Sequence, residues 1–142
     1  MFGHQFIFVP GEWLGSGKIF FSASSETIPF YTKWTVEISK DGVINCMQRV
    51  EKQGVSEIIT SALQFVVIDD SRFHITFEND ISGLVHGKGT VNAKTIAWEY
   101  AGSFVGSEIY MLDAKEGYSM HAEYSTDLSY RTFIEGRIWK KI

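Results

Sequence analysis

A chain of 142 residues fits one domain and has enough material for a core without disulfide or metal support. Its formal net charge of −4, with 21% charged residues, suits a soluble surface and disfavours phosphate binding, so nucleic acid is not an expected partner. The single cysteine, Cys46, excludes an internal disulfide and fits a reducing cytoplasm, with a small buried thiol expected rather than a nucleophile.

The opening stretch, Met1 to Pro10, has no positively charged lead and an apolar run too short for a signal peptide or a membrane span. It is expected to plug, or pack against, one end of the fold. Gly11-Glu12-Trp13 opens the first strand. Gly15-Ser16-Gly17 precedes Lys18 but is flanked by strand pattern on both sides, so it lacks the helix a phosphate loop needs. Residues 22–28 leave room only for a loop. Thr32, Trp34, Val36 and Ile38 then share one face of a strand, and Asp41-Gly42 marks a hairpin. Ser56 and Ser61 blur the alternation over residues 55–66. Phe73, Ile75 and Phe77 share the next clear face. Gly83, Gly87 and Gly89 blur the following segment, and Ile96, Trp98 and Tyr100 restore the pattern. Tyr118, Met120, Ala122 and Tyr124 follow, opposed by Ser119, His121, Glu123 and Ser125. Turn chemistry separates these runs, among them Lys115-Glu116-Gly117 and Ser125-Thr126-Asp127.

An aromatic content of 15% also suits strands better than helices. About ten alternating segments, no repeat and no linker predict an all-β protein. The architecture expected is a single closed antiparallel up-and-down β-barrel of about ten strands, one domain over residues 1–142, wide enough to enclose a small ligand.

Closure of such a barrel places the first strand beside the last. Gly11, Trp13 and Arg137 are the expected closure residues, with the Trp13 indole buried under the Arg137 guanidinium. The last strand carries Arg131, Phe133, Glu135, Arg137 and Trp139 on one face and Tyr130, Thr132, Ile134, Gly136 and Ile138 on the other. With the arginine face inward, Arg131 or Arg137 would anchor an anion, and long-chain carboxylates would bind better than the matching alcohols. With it outward, Arg137 is only a closure residue. His121 and Glu123 share a face, as do His74 and Glu78; acid–base or metal chemistry is one reading and solvated positions the other. Neither pair has a diagnostic ligand spacing. No metal site, cofactor or catalytic residue is expected from the motifs present.

The Gly11-Glu12-Trp13-Leu14-Gly15-Ser16-Gly17 opening, together with Arg137 near the end, resembles the calycin superfamily of lipocalins, fatty-acid-binding proteins and related bacterial barrels. Gly136-Arg137-Ile138-Trp139-Lys140-Lys141 is similar to the fatty-acid-binding terminus, with Trp139 in place of the usual Tyr. Pro29-Phe30 and Gln48-Arg49 are similar to nitrobindin-like haem barrels, whose iron-ligating histidine has no counterpart on this last strand. The resemblance implies a carrier or sensor for a small hydrophobic or amphipathic molecule. The binding set it suggests is Arg131, Arg137 and Trp139 with Trp34, Phe73, Trp98 and His121. Two alternatives stand beside it: a haem-dependent or isomerase-type enzyme using His121 and Glu123, and a solid barrel serving as a protein-interaction module.

Overall fold

A computed structural model describes residues 1–127 and 130–142. It contains ten strands and, among the described residues, no helix. They are β1 (Gly11–Phe21), β2 (Thr27–Ile38), β3 (Ile44–Lys52), β4 (Ile58–Val67), β5 (Arg72–Asn79), β6 (Gly83–Val91), β7 (Thr95–Ala101), β8 (Val105–Leu112), β9 (Tyr118–Asp127) and β10 (Tyr130–Lys140). Each pairs antiparallel with its chain neighbour, and β10 pairs with β1, so the sheet closes as an up-and-down barrel. Closure leaves no strand edge unpaired. The hairpin expected at Asp41-Gly42 joins β2 to β3, with the Ser39 amide donating to the Val43 carbonyl. Ser125, Thr126 and Asp127, read as a turn from sequence, instead extend β9, and the connection to β10 lies outside the described residues.

Alternation sorts the side chains. Trp34, Val36, Phe73, Ile75, Ile96, Trp98, Tyr100, Tyr118, Met120 and Ala122 are buried, all on the faces expected to point inward. Ser61, in the segment of blurred register, also points inward and accepts a hydrogen bond from Asn79 Nδ2 at 3.0 Å. Cys46 is buried as expected.

The seam between β1 and β10 runs from Trp13 opposite Lys140 to Phe21 opposite Thr132. Gly17 lies opposite Gly136, and a Cβ on Gly17 would strike the Glu135 carbonyl oxygen, so the two backbones approach there as only glycine allows. The first and last strands therefore close the barrel, but not through the side-chain pair expected. Trp13 points inward and is 2% exposed. Arg137 alternates with the fully buried Ile138 and so leaves the outer face. Its Nε donates to Asp113 Oδ2 at 2.6 Å, and its guanidinium lies 5.8 Å from the Trp139 ring centroid. The cation–π partner is its neighbour on the same face, two residues along, because a residue of β1 facing inward is screened from it by the sheet.

The barrel has two unlike ends. At the end formed by the start of β1 and of β9, residues 1–9 cap the barrel, with Phe2 and Val9 exposed and Phe6 and Ile7 fully buried. Phe6 sits among Trp13, Trp34, Tyr110 and Tyr118, with ring centroids 5.3, 5.2, 4.9 and 5.7 Å away. Phe65, Phe73 and Trp98 continue this aromatic packing across the middle of the barrel. The expected plug is present. Trp34 Nε1 is buried there with no hydrogen-bond partner.

Removing the Trp13 indole leaves a cavity in this packing, so Trp13→Ala should lose about 3–5 kcal/mol of unfolding free energy. Arg137→Met, which deletes a partly solvated ion pair, should lose less than about 1 kcal/mol. Urea denaturation of both variants checks the contrast, and a large loss for Arg137→Met would contradict the outward placement.

Candidate functional site

The opposite end, where β5, β7 and β9 finish and β6, β8 and β10 begin, carries a different chemistry. Inward positions of β8 alternate Gly106, Glu108 and Tyr110, and Glu108 is only 5% exposed. Tyr110 donates its hydroxyl to Glu108 Oε1 at 2.6 Å, and Tyr100, from β7, donates to Oε2 at 3.0 Å. Tyr124, from β9, also hydrogen-bonds this carboxylate. Trp98 Nε1 in turn donates to the Tyr100 hydroxyl at 2.8 Å. Among the described residues no cation pairs with Glu108; the phenols replace the water that the carboxylate lost on burial. Burial first, and the charge of Glu108 second, push the Tyr100, Tyr110 and Tyr124 hydroxyls well above the ordinary tyrosine range. These three therefore stay protonated and serve as donors.

Gly106 makes room for the cluster. A Cβ there would lie 2.5 Å from Tyr124 Cδ1, so a side chain at this position would push the Tyr124 ring away from Glu108. Above the cluster, Phe77, Tyr100, Phe104 and Tyr124 form a chain of tilted and edge-on rings with centroids 5.4–5.9 Å apart. Phe77, Phe104 and Tyr124 also line a cavity of about 290 Å³, completed by Ser82, Ser125, Thr126, Tyr130 and Thr132. Tyr124 is thus shared by the cavity and the buried carboxylate.

The residues expected from sequence divide between the two sides of the sheet. Trp34, Phe73 and Trp98 lie in the interior, packed with one another and with Tyr110 and Phe65. Arg131, Arg137 and Trp139 lie on the outer face of β10, whose inward positions are Thr132, Ile134, Gly136 and Ile138. Arg131 pairs with Glu123 at 3.1 Å and Arg137 with Asp113. The interior anion anchor expected of these arginines is therefore not formed; each finds its carboxylate outside the barrel, where solvation makes the pairing inexpensive. His121 and Glu123 are also outside and do not face each other as a working pair. His121 Nδ1 lies 3.6 Å from Glu135, while Glu123 is held by Arg131.

His74 and His86 are likewise on outer faces. His4 alone is buried among the four histidines, and both of its ring nitrogens are hydrogen-bonded within the protein. No group of three or more potential metal-ligating side chains occurs among the described residues.

The fold is shared with solved structures. The S-type phycobiliprotein lyase CPES from Guillardia theta aligns with a TM-score of 0.73 at 9% sequence identity, over 94% of this chain and 89% of that one. Rv2717c from M. tuberculosis aligns with a TM-score of 0.71 at 10% identity, over 94% and 93%. At these identities the likeness is one of fold alone, and it accords with the closed antiparallel β-barrel expected from the alternating strands. No protein-family model matches the chain, and no curated protein matches it at significant similarity.

Two measurements follow from the interior chemistry. Tyr110→Phe removes the 2.6 Å bond to the buried carboxylate and should cost about 1.5–3 kcal/mol, read by urea denaturation. The Cys46 thiol, pushed by burial up to about 12, exposes roughly one thiolate in ten thousand at about pH 8. A disulfide-exchange reagent should therefore label it only as fast as the folded chain opens.

Proposed function

We propose that this barrel is a carrier or sensor for a small, mostly apolar molecule, received at the end bounded by Phe77, Phe104, Tyr124 and Tyr130. The observation that carries this reading is the cavity there, apolar on its aromatic side and hydroxyl-bearing at its rim. Its volume sits near the lower limit for small-molecule sites, and mixed linings of this kind orient a ligand through a few polar contacts. Exposed Ile81, Leu84 and Val105 near the same end offer an apolar solute a first surface of contact. A fold shared with a phycobiliprotein lyase is consistent with work beyond a structural role, though fold by itself names no ligand.

The polar group beneath the cavity is a carboxylate, so the ligand class differs from the one arginine anchors would select. A ligand carrying a hydroxyl, amide or amine is favoured, because its donors meet hydroxyl oxygens and, through Tyr124, the field of Glu108. A ligand carboxylate meets like charge. The solid-barrel alternative accounts for the aromatic-filled end but leaves the opposite cavity without a role.

Titration of alcohols, amines and carboxylates of one chain length, followed by calorimetry, tests the proposal. The alcohols and amines should bind at least about tenfold more tightly than the acids, the low end of what one charge-assisted contact supplies. Glu108→Gln should narrow the gap between amine and acid. Tighter binding of the acids would overturn the ligand class, and failure of all three series would overturn the site.

A further inference from the structure

The plugged end carries a cavity of its own, about 730 Å³ in volume and larger than the one at the open end. Three pieces of chain wall it: the N-terminal segment at Gly3 and Gln5, the turn between β8 and β9 at Lys115 and Glu116, and the end of β10 with the residues after it. It lies outside the aromatic interior and touches the buried Trp13 and Tyr118.

Hydrogen bonds within the protein fix these walls. Asp113 Oδ1 accepts from the Lys115 amide at 2.8 Å and the Gly117 amide at 3.0 Å, while Oδ2 accepts from Arg137 Nε at 2.6 Å. One carboxylate therefore shapes the turn and joins it to β10. Gly117 leaves room for the guanidinium, since a Cβ there would lie 2.5 Å from Arg137 Nη2. Arg137 in turn lies 5.8 Å from the ring centroid of Trp139, a half-buried indole in the same lining. On the N-terminal side, Lys140 Nζ donates to Gln5 Oε1 at 3.0 Å and ties that segment to β10. A cleft held this way is preorganised, so a ligand has little to order on binding.

The charge of the cleft runs against that of the chain. Although the net charge is −4, four of the 13 Lys and Arg residues, Lys115, Arg137, Lys140 and Lys141, meet here, and the one acidic side chain in the lining is Glu116. Asp113 answers Arg137 and Glu12 answers Lys141. Among the described residues, Lys115 and Lys140 have no carboxylate within ion-pair distance. Their ammonium groups stand beside the Trp139 indole and Leu112, which is 45% exposed. A small inorganic anion would answer the ammonium groups and leave the apolar wall in water. A neutral ring would cover the wall and leave the ammonium groups unanswered.

We propose that this cleft is a second binding site, specific for a planar aromatic anion whose ring lies against Trp139 and Leu112 and whose charged group meets Lys115 and Lys140. Aromatic stacking on the indole supplies shape selection, and the paired ammonium groups supply charge selection. The preference for an anion is opposite to that of the open end, and the two cavities lie at opposite ends of the barrel. This site therefore stands or falls apart from the other.

Three probes separate the contributions in the full chain: naphthoate, its neutral counterpart naphthalenemethanol, and acetate. In amide and indole NMR, naphthoate should shift the Trp139 indole N–H and the Lys115 and Gly117 amides. At low salt it should bind at least about tenfold more tightly than naphthalenemethanol, the low end of what one charge-assisted contact supplies. Raising the ionic strength to about 0.5 M should narrow that gap, because these lysines are exposed and their charge is screened. Lys115→Gln, in an exposed turn, should narrow it at low salt as well while leaving the alcohol unchanged. Trp139→Leu should weaken both naphthyl probes. Equal binding of naphthoate and its alcohol would overturn the anion preference, and acetate binding as tightly as naphthoate would overturn the aromatic one. Shifts confined to Phe104 and Tyr124, or no shift from any probe, would overturn the cleft as a site.

Discussion

Everything in this molecule depends on the antiparallel pairing of β1 with β10. It fixes the barrel's circumference, decides which residues of the last strand face inward, and removes the two edges an open ten-strand meander would expose. The pairing is made by backbone, with Gly17 and Gly136 set against each other so that the strands approach closely. Side chains secure the two faces separately. Trp13 is gripped from within by Phe6 and Tyr118, and Arg137 is held from without by Asp113. Neither grip crosses the sheet.

The interior is divided by chemistry rather than by size. One half is a stack of aromatic rings closed by the N-terminal segment. The other is organised around a single carboxylate that oriented phenol hydroxyls solvate in place of a cation. Dipoles of this kind pair strongly with a negative centre but leave its charge uncancelled, so the open end carries a negative field. A barrel lined by arginine would present the opposite field to the same apolar molecules.

Much of the fold was legible because strands half-buried in a barrel must alternate. The runs at Thr32–Ile38, Phe73–Phe77, Ile96–Tyr100 and Tyr118–Tyr124 could satisfy period two in one orientation only, and the structure adopts it. The plug was legible from an apolar run too short for any membrane role. The candidate site was not legible, and β8 shows why. Its apolar Val105 and Ile109 suggest the inward face, yet Val105 is 62% exposed and the inward positions are Gly106, Glu108 and Tyr110. A glutamate between a glycine and a tyrosine reads as solvent-facing until three phenols from three strands are seen to converge on it. In β10 both faces carry apolar residues, Phe133 and Trp139 on one and Ile134 and Ile138 on the other, so alternation alone could not orient the arginines. The expectation of Trp13 beneath Arg137 failed for a related reason: strand adjacency fixes who lies beside whom, whereas the pleat fixes on which side.

The seam also dictates an order of events during synthesis. β1 gains β2 within the first forty or so residues, but its other edge has no partner until β10, the last strand, has been made. Through most of translation the nascent sheet is therefore an open ribbon with a bare leading edge, the condition in which β-proteins most readily pair with the wrong chain. Glu12 and Lys18 lie on that edge strand, and their charges discourage such pairing while the ribbon waits to close.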